Sequence, residues 1–378
     1  MKIRLYSTVA ISIMVLALTF VVPIQAEWTT TLEWLKVVVP GGGLSYSDEG
    51  PFRCFYDGHR LTKIKFFDWN GASTGDSIVF SGRTSRIWNG ESGEYVGAIT
   101  VDSSGVTERF ATYDRTGNMV LEWTERDSLI PLTSFMVHGS GHVLRVRKNY
   151  NSQRVHVTIY EPDGTSLFTV SEDSICIPWV FDGGERLYVP VGCWIWGFPL
   201  PERTYRELRV YDVDSGALMY TLPRAPYYFH ARDADVIALW KDEVLTVYSG
   251  GVSIGSPGNL GGVGLSPNGE YLIGTTPEPS HIAAYEIVTM TQLWAIADSL
   301  DSGEQDPCPD IGNNGVAIYT RKLSGSGYGI TVVAPTGDII FEQDYPNGAR
   351  GELAGTGMFF AVERYDDHVV SYYSVTDE

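Results

Sequence analysis

The residues best suited to nucleophilic or metal chemistry are four cysteines and seven histidines. Cys176 and Cys193 flank the turn at Gly183-Gly184 almost symmetrically, so a hairpin there would bring the two thiols face to face. In an oxidising compartment such a pair is expected to form a disulfide, with two buried thiols as the alternative. Closing a loop of this size contributes about 3 kcal/mol in the chain-entropy picture. Cys54 and Cys308 fall in different parts of the chain and are left unpaired. No cysteine has a His and Asn arrangement to support a thiolate, so catalytic residues stay unknown. His138 and His142 bracket one turn, a spacing that suits two zinc ligands, but no third ligand accompanies them. Two solvated turn histidines are the plainer reading, and neither a metal nor any other cofactor is expected. HExxH, Gly-x-Ser-x-Gly, the P-loop and the dinucleotide fingerprint are all missing from the sequence. Asp and Glu total 46, so two carboxylates can meet as an acid/base pair, yet the sequence does not choose which.

A second kind of candidate is a contact surface. The connection 192–205 carries Trp194, Trp196 and Phe198 between Pro199, Pro201 and a strand on either side. Exposed aromatics on a stiff loop suit a protein or carbohydrate partner; the alternative is a loop that folds over its own sheet and buries the rings. The acidic connection 298–310 holds Asp298, Asp301, Glu304, Asp306 and Asp310 without the regular Asp-x-Asp-x-Asp-Gly calcium spacing, which reads as a solvated loop.

Composition narrows the partners. The 378 residues carry a formal charge of -19, with 43% hydrophobic and 19% charged residues. A surface that acidic repels nucleic acid phosphates and anionic headgroups, so no nucleic acid partner is expected. Residues 1–26 form a separate unit: Lys2 and Arg4, an apolar run over 9–22, and a small residue at Ala26. That pattern is a signal peptide cut after Ala26, leaving a mature chain of about -21 with no stable membrane insertion. An uncleaved anchor is the alternative. The mature protein is expected to be secreted or periplasmic.

The elements that must position these residues are strands. Glycine is abundant (41), the 22 tyrosines and 10 tryptophans favour strands, and no helical apolar period survives the interrupting Gly, Pro and Asn. The stretch 264–297 reads as four short strands, and turns like its own recur: SDEG at Gly50, GESG at Gly93, HGSG at Gly141, FDGG at Gly184, ARDA at Ala234, SPNG at Gly269, GNNG at Gly315 and AGTG at Gly357. Eight turns at steps of roughly 35 to 50 residues match the period of propeller blades. A second series runs in phase, with third strands ending near Phe67, Tyr113, Tyr160, Tyr211, Tyr248, Tyr285, Val333 and Tyr372. In four copies an aromatic follows the next turn, at Phe168, Tyr220, Trp294 and Phe341, placed to pack between neighbouring sheets. The last copy lacks a fourth strand, and residues 31–38 resemble one. The expected fold is therefore all-β: residues 27–378 as a single eight-bladed β-propeller closed by an N-terminal strand. Seven blades is the alternative, because the fifth copy is short.

The segments YDVDSGALMY, YDRTGNMVLEW and APTGDIIFEQ resemble the repeat of bacterial PQQ-like propellers, and SPNGEYLIG is similar to WD40-like and TolB-type repeats. The resemblance spans nearly the whole mature chain and implies fold; the tryptophan-docking spacing of quinoprotein dehydrogenases is not reproduced. The functional expectation is a non-catalytic binding or scaffolding module for a protein or carbohydrate partner. The alternative is an enzyme working in the central channel, a divergent quinoprotein, lyase or hydrolase.

Overall fold

In the computed structural model the described residues are 28–37, 44–45, 52–57, 60–69, 72–74, 77–80, 83–89, 94–101, 107–126, 133–138, 140–148, 154–172, 179–180, 185–191, 207–223, 227–231, 233–276, 281–297, 309–323, 327–367 and 369–377. They form strands and turns with no helix, grouped into eight four-stranded antiparallel sheets. Seven are meanders, taken in chain order from residues 44–79, 83–126, 133–172, 179–223, 227–258, 261–297 and 310–345. The eighth takes residues 349–377 and is completed by the strand Trp28–Val37. That strand runs antiparallel to Val369–Asp377, from Trp28↔Asp377 to Val37↔Val369. The short fifth copy makes all four of its strands because a two-residue turn, Asp242-Glu243 with φ of 51° and 64°, replaces a long connection.

Burial follows strand position. The second strand of the fourth sheet, Arg186–Val191, is buried without a break from Leu187 onward, whereas its fourth strand, Leu218–Pro223, buries Leu222 alone. A middle strand is covered on both faces by the sheets on either side, so its sequence is continuously apolar. Each pair of consecutive sheets shares one apolar cluster. Phe110 of the second sheet stacks on Phe135 of the third, and Leu187, Val189 and Val191 of the fourth pack with Val157 and Ile159 of the third. The eighth cluster joins the last sheet to the first: Trp69 stacks on Phe359 with ring centroids 5.5 Å apart and meets Tyr372 edge-on at 6.0 Å.

Both sequence series have a structural meaning. The residue at or next to the end of the third strand, at Tyr113, Tyr160, Tyr211, Tyr248, Tyr285 and Val333, sits where the pairing register shifts, so the second series marks a β-bulge. Four residues after the following turn position, one side chain reaches the turn of the next sheet. Leu121 lies against Gly164, Phe168 against Gly216, Tyr220 against Gly251 and Trp294 against Gly337. A methyl carbon built on any of these glycines would come within 2.6 to 2.8 Å of its neighbour, so the glycine is needed as the hole. Phe341 instead meets Phe360 edge-on and Tyr373 at a tilt in the eighth sheet, whose outer strand is the N-terminal one and is not reached through a turn. Between the fifth and sixth sheets the roles are exchanged: the turn carries Met290 (φ 52°) and the strand carries Gly255.

Candidate functional site

An antiparallel meander sends its first and third turns to one end of the sheet and its other connections to the opposite end. The first end is made of tight turns held by local side chains. Asp212 accepts the Ser215 hydroxyl at 2.6 Å and its amide at 2.8 Å, and Asp114 accepts the Thr116 hydroxyl at 2.6 Å. Turns of successive sheets are also joined, Asp233 to Pro267, Asn268 to Asn313 and Asn313 to Gly355. Polar groups here are spent on structure.

Trp194, Trp196, Phe198, Cys176 and Cys193 lie outside the described residues, as do Cys308 and most of the acidic connection; Cys54 lies on the strand Phe52–Asp57 and Asp310 on the strand Asp310–Ile311. The strands at the root of the aromatic connection are described. Val191, the last residue before the connection, is fully buried and is the Cα partner of Glu207, the first residue of the strand that follows it. Arg209, two residues on, donates through Nε to Glu207 at 2.7 Å and through Nη1 to Glu172 of the third sheet. One guanidinium thus holds together the strand ends from which both the aromatic connection and the segment bearing Cys176 depart. Sequence reasoning missed this group because Glu172 and Arg209 are 37 residues apart, and no local pattern links them.

A second inter-sheet cluster lies at the tight-turn end. Tyr188 donates its hydroxyl to Asp235 Oδ1 at 3.0 Å, Tyr220 donates to the same oxygen, and Arg186 stands 3.6 Å from Oδ2. Burial pushes both phenols far above their ordinary range, with the Asp235 charge adding to the effect, so they remain neutral donors. The cluster ties the fourth sheet to the fifth. On the first strand of the eighth sheet, Glu352 is a carboxyl raised above its ordinary value by burial, with Arg350 pulling the other way and Glu363 adding to the rise. Its side chain is 25% exposed and contacts the Arg350 guanidinium.

His142 departs from the solvated turn residue expected of it. Its side chain is only 14% exposed, with Nδ1 2.8 Å from Ser140 Oγ and Nε2 3.5 Å from Glu161. Burial holds the imidazole below its ordinary value, and the charges of Glu161 and of Asp214 in the next sheet offset this only in part. The unfolded chain therefore takes up the proton first as the pH falls. His142 costs nothing above its unfolded value of about 6.5, and stability drops as the pH descends through that value. His142→Gln is expected to lessen the fall in melting temperature between pH 7.5 and 5.5; an unchanged fall would refute the assignment. Among the described residues no group of three His, Cys, Asp or Glu could hold a metal ion.

The described residues form an all-β assembly of small antiparallel sheets that resembles the WD40-like β-propellers in fold. It is similar to a eukaryotic initiation factor of known crystal structure, with a TM-score of 0.56 and 10% identity over 89% of this chain and 88% of that one. It is also similar to an uncharacterized protein from Listeria monocytogenes EGD-e, with a TM-score of 0.50 and 9% identity over 81% and 96%. No family model matches the chain, and no curated protein matches it in sequence. The likeness is therefore one of fold.

Proposed function

We propose that this chain is an exported, non-catalytic propeller of eight blades, closed by its N-terminal strand, which binds a protein or carbohydrate partner through the aromatic connection on its fourth blade. The observation that carries this reading is the fixed root of that connection: Val191 buried, Glu207 paired to it, and Arg209 clamping Glu207 to Glu172. A loop held at both feet loses less conformational freedom on binding. The pairing of Trp28–Val37 with the last strand and the stacking of Trp69 on Phe359 support a closed ring. The recurring turn-glycine contacts support a kinship of the repeats with PQQ-like propellers. The disulfide between Cys176 and Cys193, both outside the described residues, is part of this reading and rests on their spacing about the Gly183-Gly184 turn. Non-reducing peptide mapping of the secreted protein tests that bond and the cut after Ala26 together.

Replacing Trp194 and Trp196 by Ala tests the contact. Binding in a glycan array or to a cross-linked protein partner is expected to fall at least tenfold with the melting temperature kept. A large drop in melting temperature instead would show that the rings are core. The enzyme reading draws on Glu352, a half-buried carboxyl beside Arg350 and Glu363. A quinone, Ca²⁺ or Zn²⁺ that raised the melting temperature with the logarithm of its concentration would favour that reading over ours.

A further inference from the structure

The outer strands of the sheets differ sharply in charge. Those of the second and seventh sheets carry Glu122, Glu125 and Arg126, and Glu342 and Asp344. Such charges on an edge discourage strand-to-strand association. The outer strands of the fourth, fifth and sixth sheets carry none: residues 215–223, 244–269 and 287–297 contain no Asp, Glu, Lys or Arg. These strands and the turn leading into the last of them expose aliphatic side chains instead, at Leu218, Met219, Val252, Ile254, Val288 and Leu293, of which Val252 is 67% exposed and Val288 78%.

These side chains belong to one continuous rim. Gly251 lies against Tyr220, which sets Val252 beside the strand holding Leu218 and Met219. Met290 lies against Gly255, which sets Ile254 beside the turn holding Val288. Their combined exposed surface is on the order of 600 Å², at the upper end of what a monomer ordinarily leaves in one apolar patch.

We propose that this rim is a self-association surface, and that two copies of the chain dock rim to rim about a twofold axis. Charge decides the occupant. A body of charge -19 repels its own kind over most of its surface, and the charge-free rim is where a second copy can approach without like charges meeting. A twofold contact is self-complementary, so an uncharged apolar rim finds its match in itself. Two such rims would bury about 1,200 Å², the lower end of specific interfaces, which fits a reversible dimer. Repulsion between the acidic remainders opposes the contact and is screened within about 3 Å at 1 M salt against about 10 Å at 0.1 M, so association should strengthen with salt.

Sedimentation of the mature chain across concentration at low and high salt tests this. A monomer–dimer equilibrium that tightens with salt is expected, and Val252→Asp or Leu293→Asp should weaken it at least tenfold while the melting temperature holds. A monomer at every concentration and salt overturns the proposal, as does a dimer that both substitutions leave intact. Hydrogen exchange of the unsubstituted protein supplies a readout independent of any folding defect. Protection across 250–258 and 287–297 that rises with concentration supports the rim contact, and protection that stays constant overturns it. None of these outcomes depends on the aromatic connection, so the two proposals stand or fall separately.

Discussion

A chain lacking residues 28–37 is expected to lose cooperative melting. The strand they form pairs along its whole length with Val369–Asp377, and Trp28 packs into the cluster built by Val362, Phe360, Val332 and Ile330. Phe360 stacks on Tyr373 in the same layer, and Phe341 of the seventh sheet packs against both rings. Without it, Val369–Asp377 becomes an unpaired edge and those rings face water. Backbone pairing at about 1 kcal/mol per hydrogen bond and the burial of Trp28 at about 2–3 kcal/mol together form a large share of the about 5–15 kcal/mol a domain possesses. Circular dichroism melts of the truncated protein measure the effect, and a synthetic peptide of residues 27–38 added in trans should restore part of it. An unchanged melting temperature would show that the N-terminal strand is dispensable.

The second large effect is at Trp294. Its side chain is buried between the sixth and seventh sheets with Ile273, Ala317, Tyr319 and Val333, and lies over the turn at Gly337. Trp294→Ala is expected to cost about 3–5 kcal/mol, as for other buried large-to-small changes. Gly337→Ala is expected to cost about 1–2 kcal/mol from its φ of 91° alone, and more because the new methyl would sit 2.8 Å from Trp294 Cβ. The two substitutions share one space. With Trp294 truncated beyond Cβ, its neighbours can relax around the new methyl, so the double variant should be destabilised by less than the sum of the singles, with a coupling of about 0.5–3 kcal/mol. Urea titrations of the four proteins give the cycle; strict additivity would separate the ring from the turn.

Much of the fold could be read from residues whose local chemistry repeats. Gly141, Gly269, Gly315 and Gly357 take positive φ in the turns that the sequence marked, and the tyrosines that end third strands sit at bulges. These signals survive in sequence because a turn or a bulge constrains its own few residues. What holds the sheets to one another was less legible. Arg209 reaches Glu172, and Asp235 gathers Tyr188 and Tyr220, across separations of 15 to 47 residues with no common spacing. His142 was misjudged for the same reason: its turn is local, but the covering that buries it comes with Glu161 and the next sheet's Asp214. Trp194, Trp196, Phe198, Cys176 and Cys193 stood out by type alone, and it is the described residues at their root that give them a structural setting.

The exchange of Gly255 and Met290 bears on how this chain can be rearranged. Repeat proteins grow and diversify by copying, losing or reshuffling units, which requires each unit to fit any neighbour. The sixth sheet, placed after any other, would bring Met290 against an occupied position; the fifth, placed before any other, would offer Gly255 to a turn glycine and leave a void. A recombined chain that gives either unit a new neighbour therefore meets a clash or a void, and the fold is best kept where the fifth and sixth sheets stay adjacent.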